Sequence, residues 1–345
     1  MLTIRHVDGA HVHRLTRAEL PTAAPERGYV WVDLADPTPD EDTVLDELGV
    51  HPMAVEDMRE DRHLPKLEAY GDELSLTVHG LWIDHMAEEV DTAELDVSMK
   101  PWLLVTYHEQ AIASVDAVGR RLDENGGAHG LDRPVLLLHR LLDTMNDVMV
   151  PFVDHLERRL DIIEEDLLST PTEATRQDLY RLQRDVIQLR RAVVPQAEVI
   201  RRLGRESVGL IADEDQALFR DVHDHLYRMA ELSDSYRQLL DSAMDSYRSA
   251  QDDELNDMLR ILTLISALVM PVTMLAGIYG MNFQYMPELS WRPAYFVMLG
   301  SSVAIVLAMA LWFRHRGWIG RAAEREAERR RSGLGTVLEL SLIHI

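Results

Sequence analysis

The chain has 345 residues, a formal net charge of −24 and no cysteine. The lack of thiols excludes a disulfide framework and a thiolate zinc site. The acidic excess argues against a nucleic-acid partner and suits cations.

Met1–Leu20 is polar without an apolar centre, so no cleavable signal is expected. Residues Met1–Tyr107 read as mixed α/β, with short β-rich runs at Leu2–Val7, Tyr29–Leu34, Leu74–Ile83 and Trp102–Tyr107. Asp36–Asp40 (DPTPD) is a turn and helix start leading into Glu41–Leu48, and Pro52–Arg59 is a second short helix. His6, His11 and His13 have no carboxylates at a clear spacing and read as surface histidines. Asn125-Gly126-Gly127 marks a loop. From Pro134 the apolar period becomes helical. Val135–Leu168 is one long helix, Ser169–Thr172 a capped turn, and Thr172–Leu203 a second, antiparallel helix that Pro195 should kink. After a loop at Gly204–Gly209, no helix breaker intervenes between Asp213 and Pro271. A helix unbroken from there to Tyr279 would span about 67 residues, or roughly 100 Å. No globular core needs that length; such a rod links an event in the soluble part to one in a membrane.

Ile261–Tyr279 is apolar over about nineteen residues, enough to cross a bilayer, and Ala294–Phe313 is a second run of that size. The short loop between them makes a helical hairpin. Basic residues crowd behind the second span (Arg314, Arg316, Arg321 and further Arg to Arg331), whereas the loop has only Arg292. Both termini are therefore expected in the cytoplasm and the loop outside. Arg321–Arg331 suits lipid headgroups. Leu340–Ile345 (LSLIHI) reads like a translated sequencing adapter, and no function is drawn from Ser332–Ile345. Along the first span and its approach, Asn256, Thr263, Ser266, Met270, Thr273 and Gly277 share one helical stripe. By periodicity alone this stripe is equally a helix-packing face or the wall of a pore.

The first span ends in Tyr279-Gly280-Met281-Asn282-Phe283, and Met286-Pro287-Glu288-Leu289 follows. This GMN triplet in its setting resembles the CorA family of magnesium transporters. The resemblance is close over the hairpin and looser through PMAVED (Pro52–Asp57), LPKLE (Leu64–Glu68) and FRDVHDH (Phe219–His225). It implies an N-terminal cytosolic α/β domain (1–130), a long-helix stalk (131–258), a two-helix transmembrane hairpin (259–316) and a basic tail (317–345), assembled as a homopentamer in the plasma membrane. It implies a selectivity filter at Gly280, Met281 and Asn282, and a pore lined by Asn256, Leu262, Ser266, Met270, Thr273 and Gly277. Magnesium is the implied cargo; cobalt and nickel, of similar hydrated size, are expected to pass as well. Related zinc exporters carry Val in place of Met in the triplet, so Met281 points to magnesium.

No charged residue occurs from Ile261 to Phe283. Magnesium sheds its waters reluctantly, and neutral amide and carbonyl oxygens can hydrogen-bond the hydrated ion without trapping it. Gly280 is expected to turn the chain sharply at the helix end, and Glu288 to attract cations at the outer mouth. The resemblance places a cytosolic regulatory magnesium between subunits at Glu56, Asp57 and Asp221. His225, one turn from Asp221, is not read as a ligand. The competing classes are a membrane-anchored scaffold and a metal-dependent enzyme. No HExxH, GxSxG or Walker motif supports the enzyme.

Overall fold

The computed structural model describes residues 1–9, 11–60, 63–84, 89–125, 130–169, 171–205, 209–282, 284 and 286–318. The chain forms β1 (Leu2–Asp8), β2 (His11–Leu15), β3 (Tyr29–Ala35), α1 (Pro39–Asp42), α2 (Val44–Glu47), α3 (Pro52–Arg59), β4 (Lys66–Tyr70), β5 (Glu73–Asp84), β6 (Glu89–Lys100), β7 (Leu103–His108), α4 (Ala113–Asn125), α5 (Pro134–Ser169), α6 (Glu173–Leu203), α7 (Gln216–Tyr279) and α8 (Ala294–His315). It divides into two compact units. One comprises Met1–Glu164 with Gln177–Ser242; the other comprises Glu165–Arg176 with the chain from Ala243 onward.

In the first unit, seven strands form one sheet in the order β2-β1-β3-β7-β6-β5-β4. Every pairing is antiparallel except β3 with β7. One face changes character half-way across. Ile4, Val30, Val32, Leu34, Leu103 and Val105 pack against Val44, Leu45, Ala54 and Val55 of α2 and α3. On the same face, register continues through Ser98 and Asp96 of β6 to Ser75 and Thr77 of β5 and Lys66 of β4. Half of this face is thus a buried polar ladder.

That ladder hides β6 from a reading of the sequence, because Thr92, Glu94, Asp96 and Ser98 look like loop. The period-two signal is present in Ala93, Leu95, Val97 and Met99, all buried on the other face. β2 and β4 are five-residue strands with little β-branching, too short for a periodic signal. The expected helix Glu41–Leu48 is two pieces, α1 and α2, meeting at Thr43. The first starts from a capping box: Thr38 N–H donates to Glu41 Oε2 at 2.9 Å, and Glu41 N–H to Thr38 Oγ1 at 3.3 Å. Proline interrupts none of the long helices; Pro151, Pro195 and Pro271 each lie within a continuous one.

Polar contacts tie α5, α6 and α7 within this unit. Arg159 meets Asp185 at 2.6 Å, Arg190 meets Asp234 at 2.8 Å, and the buried Asn146 donates to Val222 O at 3.2 Å. Gln196 of α6 accepts from His79 N–H of β5 at 2.8 Å. Just before β3, Gly28 has φ +72°, and a Cβ there would sit 1.9 Å from Val7 O; only glycine fits.

Asp96 is the costliest member of the polar ladder. Burial pushes its carboxyl up to about 7, against a hydrogen bond from Thr77 Oγ1 at 2.6 Å that favours the anion. A carboxyl raised in the folded state holds a proton there that the unfolded chain has lost. Stability therefore falls as pH rises from about 4 to 7 and stays low above. We expect Asp96→Asn to raise the thermal unfolding midpoint of the detergent-solubilised chain by several degrees at pH 8, on the order of 1–3 kcal/mol. At pH 4.5 it should change little. An equal effect at both pH values would show that Asp96 does not titrate in this window.

Candidate ion pathway and metal-binding carboxylates

Among the described residues two helices, α7 and α8, are long and apolar enough to cross a membrane. Cover along the membrane part of α7 is one-sided. Asp257, Arg260, Leu264, Leu268, Pro271, Val272, Leu275 and Tyr279 are partly covered and recur every three or four residues. Asn256, Leu262, Ser266, Met270, Thr273 and Gly277 are all exposed, Leu262 by 61% and Met270 by 70%. α8 carries its own covered stripe at Met298, Ser302, Ile305, Val306, Met309 and Phe313. The six residues read from the sequence as pore-lining therefore share a face that no other described residue of the chain covers. The Thr263 and Thr273 hydroxyls donate back to Leu259 O (2.7 Å) and Val269 O (3.0 Å), which satisfies them in an apolar segment.

At the outer end of α7, Gly280 N–H donates to Ala276 O at 2.9 Å and Met281 N–H to Ile278 O at 3.3 Å. The helical winding thus carries into the triplet. The helix ends at Tyr279 and Gly280 is a turn residue whose φ is not positive. A Cβ there would approach Ala276 O to 3.1 Å, a tight contact. Met281 and Asn282 are exposed. Phe283 and the Glu288 side chain lie outside the described residues, and so does the tail from residue 319.

The acids read as regulatory have two different surroundings. Glu56 is exposed beside Asp57 on α3 and lines an open hollow of about 380 Å³ with Asp46, Val55, Arg59 and Glu60. Asp57 is half-buried. Its Oδ1 lies 2.5 Å from Lys66 Nζ and 3.9 Å from His63 Nε2, and its Oδ2 is buried with no hydrogen-bond partner among the described residues. Lys66 already neutralises one oxygen, while the orphaned second oxygen is the kind of group a cation satisfies. Asp221, on α7, belongs to a group with Asp143 of α5 and His225, whose ligand atoms lie within 4.8 Å of one another. Among the described residues this is the only trio with metal-site spacing. Sequence reasoning misses Asp143 and sets His225 aside. The i, i+4 spacing of Asp221 and His225 is visible in the sequence, but the crossing of α5 is not. Two carboxylates suit a hard ion such as magnesium; the imidazole widens the set toward first-row transition metals. The histidines of the N-terminal hairpin form no such group. His6 lies opposite His13 in the strand register, and its Nε2 is 2.9 Å from Arg27 O.

Comparison with known proteins places this geometry in a family. The model of the CorA-like Mg2+ transporter proteins matches residues 26–315. The cobalt/magnesium transport protein CorA of Thermotoga maritima is 30% identical over 271 residues, covering 79% of this chain and 77% of the relative. The putative metal ion transporter YfjQ of Bacillus subtilis is 30% identical over 301 residues, 85% and 91% of the two chains. In structure, the CorA magnesium transporter of Methanocaldococcus jannaschii superposes with a TM-score of 0.82 at 21% identity, covering 92% of this chain and 99% of that one. It shares the soluble α/β part, the long helix and the two C-terminal apolar helices. This chain belongs to the CorA family, membrane-integral transporters of divalent metal ions rather than enzymes.

Proposed function

We propose that the chain takes up magnesium through a homo-oligomeric pore, a homopentamer in the plasma membrane with both termini in the cytoplasm. Cobalt and nickel pass as secondary cargo. The observation that carries this reading is the one-sided cover of α7: an uncovered stripe from Asn256 through Leu262, Ser266, Met270, Thr273 and Gly277 that leads to the exposed Asn282. Two spans in one chain cannot enclose a pathway, and several copies turning that stripe inward can. The hydrated ion meets the Asn282 amides and Gly280 carbonyls at the outer mouth. It then passes apolar rings at Met270 and Leu262, which close by dewetting, and leaves past Asn256. Lipid contacts the outer faces.

Cytosolic magnesium closes this pore. Glu56 and Asp57 on one subunit and Asp221 on its neighbour supply the carboxylates, with Asp143 and His225 beside Asp221. Carboxylates that face each other repel, and a divalent ion reverses the sign of that interaction. One helix, α7, carries both Asp221 and the pore stripe, so a bias at the first reaches the second without a break.

Purified protein in liposomes should pass magnesium down its gradient without ATP, and pass cobalt and nickel more slowly. Zinc flux exceeding magnesium flux would replace the cargo. No divalent flux from a correctly inserted assembly would end the transport reading in favour of a membrane-anchored scaffold. Within it, Met270→Asn should loosen the apolar constriction and raise uptake at high internal magnesium by about tenfold; unchanged uptake in that assay would remove Met270 from the gate.

A further inference from the structure

The second span ends in a tightly built cap. Gly317, at φ +71°, donates its N–H to Arg314 O at 3.0 Å, and Trp318 N–H donates to Phe313 O at 2.8 Å. The Trp318 ring stacks on Phe313 with centroids 5.6 Å apart. These are the two hydrogen bonds and the apolar contact of a Schellman motif. The cap turns the Gly317 carbonyl back toward the first span. There Arg260 Nη2 donates to it at 2.6 Å, and the guanidinium lies 5.9 Å over the Trp318 ring. Arg260 sits four residues after Asn256 and two before Leu262. It lies on the covered stripe of α7, about 110° around the helix from the middle of the exposed one. It is the last charged residue before the apolar span, where a guanidinium must find partners at the membrane edge.

We propose that Arg260 is a positioning residue for ion passage: its bond to the Gly317 carbonyl ties the inner end of the pore helix to the cap of the second span. The tie holds the Asn256–Leu262 segment at a set distance and rotation from α8. The pore helix then cannot turn at its inner end without carrying the second span along. This rests on the transport reading above. Removing the tie frees that end, so more internal magnesium is needed to hold the pore shut.

The test compares Arg260→Gln, Arg260→Lys and Gly317→Ala with the parent chain in liposomes, with magnesium flux measured against internal magnesium. Arg260→Gln should raise the half-inhibiting magnesium concentration at least about fivefold and leave the order of flux among magnesium, cobalt and nickel unchanged. Arg260→Lys, which keeps a donor and a cation, should stay within about twofold. Gly317→Ala, which strains the cap and turns its carbonyl away, should behave like Arg260→Gln. An unchanged half-inhibiting concentration in Arg260→Gln, or an altered ion order, overturns the proposal. Should the parent itself carry no divalent ion, the transport reading fails, and the tie is judged by thermal unfolding of the full chain in detergent. The Arg260→Gln and Gly317→Ala effects should then be non-additive, and additive effects would refute the tie.

Discussion

Asn282→Ala is expected to insert and assemble like the parent chain and to carry no magnesium, with uptake reduced at least about a hundredfold. The argument is one of multiplicity. A single hydrogen bond of about 1 kcal/mol would be a weak selector. In the proposed homopentamer five amides round one mouth would act on the same hydrated ion, and their loss together would amount to about 5 kcal/mol. A hundredfold reduction requires only about 2.7 kcal/mol. Met281 is an exposed thioether, and no charged side chain occurs from Ile261 to Phe283. Asn282→Asp should also slow uptake, for the opposite reason: a ring of carboxylates holds the ion too well to release it. Growth of a magnesium-dependent strain and flux in liposomes both report the result. Undiminished uptake by Asn282→Ala would remove the amide from the pathway.

The second large effect is expected at Asp221. Asp221→Ala should keep its uptake and lose its inhibition by internal magnesium, with the half-inhibiting concentration rising at least tenfold, about 1.4 kcal/mol. Asp221 is exposed, and its ligand atom stands within 4.8 Å of those of Asp143 and His225. Removing it leaves Asp143 as the one carboxylate of this trio and takes away the group proposed to face Glu56 and Asp57 across the subunit junction. His225→Ala separates the ions. It should change inhibition by internal magnesium little and weaken inhibition by cobalt or nickel, which favour imidazole. Patches with controlled internal magnesium decide this, and unchanged inhibition in Asp221→Ala would exclude the site. Asp57 is a less clean target, because Asp57→Asn also strands Lys66, whose ammonium lies 2.5 Å from the carboxylate.

Much of this chain is legible in consecutive residues. Apolar runs of bilayer length, the uninterrupted helical period ahead of them and the GMN triplet are all local properties. They place α5, α6, α7 and α8 to within a few residues and mark Asn256, Thr263, Ser266, Met270, Thr273 and Gly277 as one stripe. What that stripe faces is not a local property. Packing and pore walls draw on the same small and polar residues, and the one-sided cover of α7 is the observation that supports the pore proposed above.

Sequence alone thus determined the apolar spans and the rod, because hydrophobic length and helical period need no partner to be read, and it showed the GMN triplet where the first span ends. Tertiary structure decided the rest. It placed Asp143 beside Asp221 and His225, gave Asp57 to Lys66, buried one face of β6 as a polar ladder and caught the Gly317 carbonyl with Arg260. Each of these joins residues far apart along the chain. Side-chain type tells what a group can bind, and only the fold tells which group comes within reach.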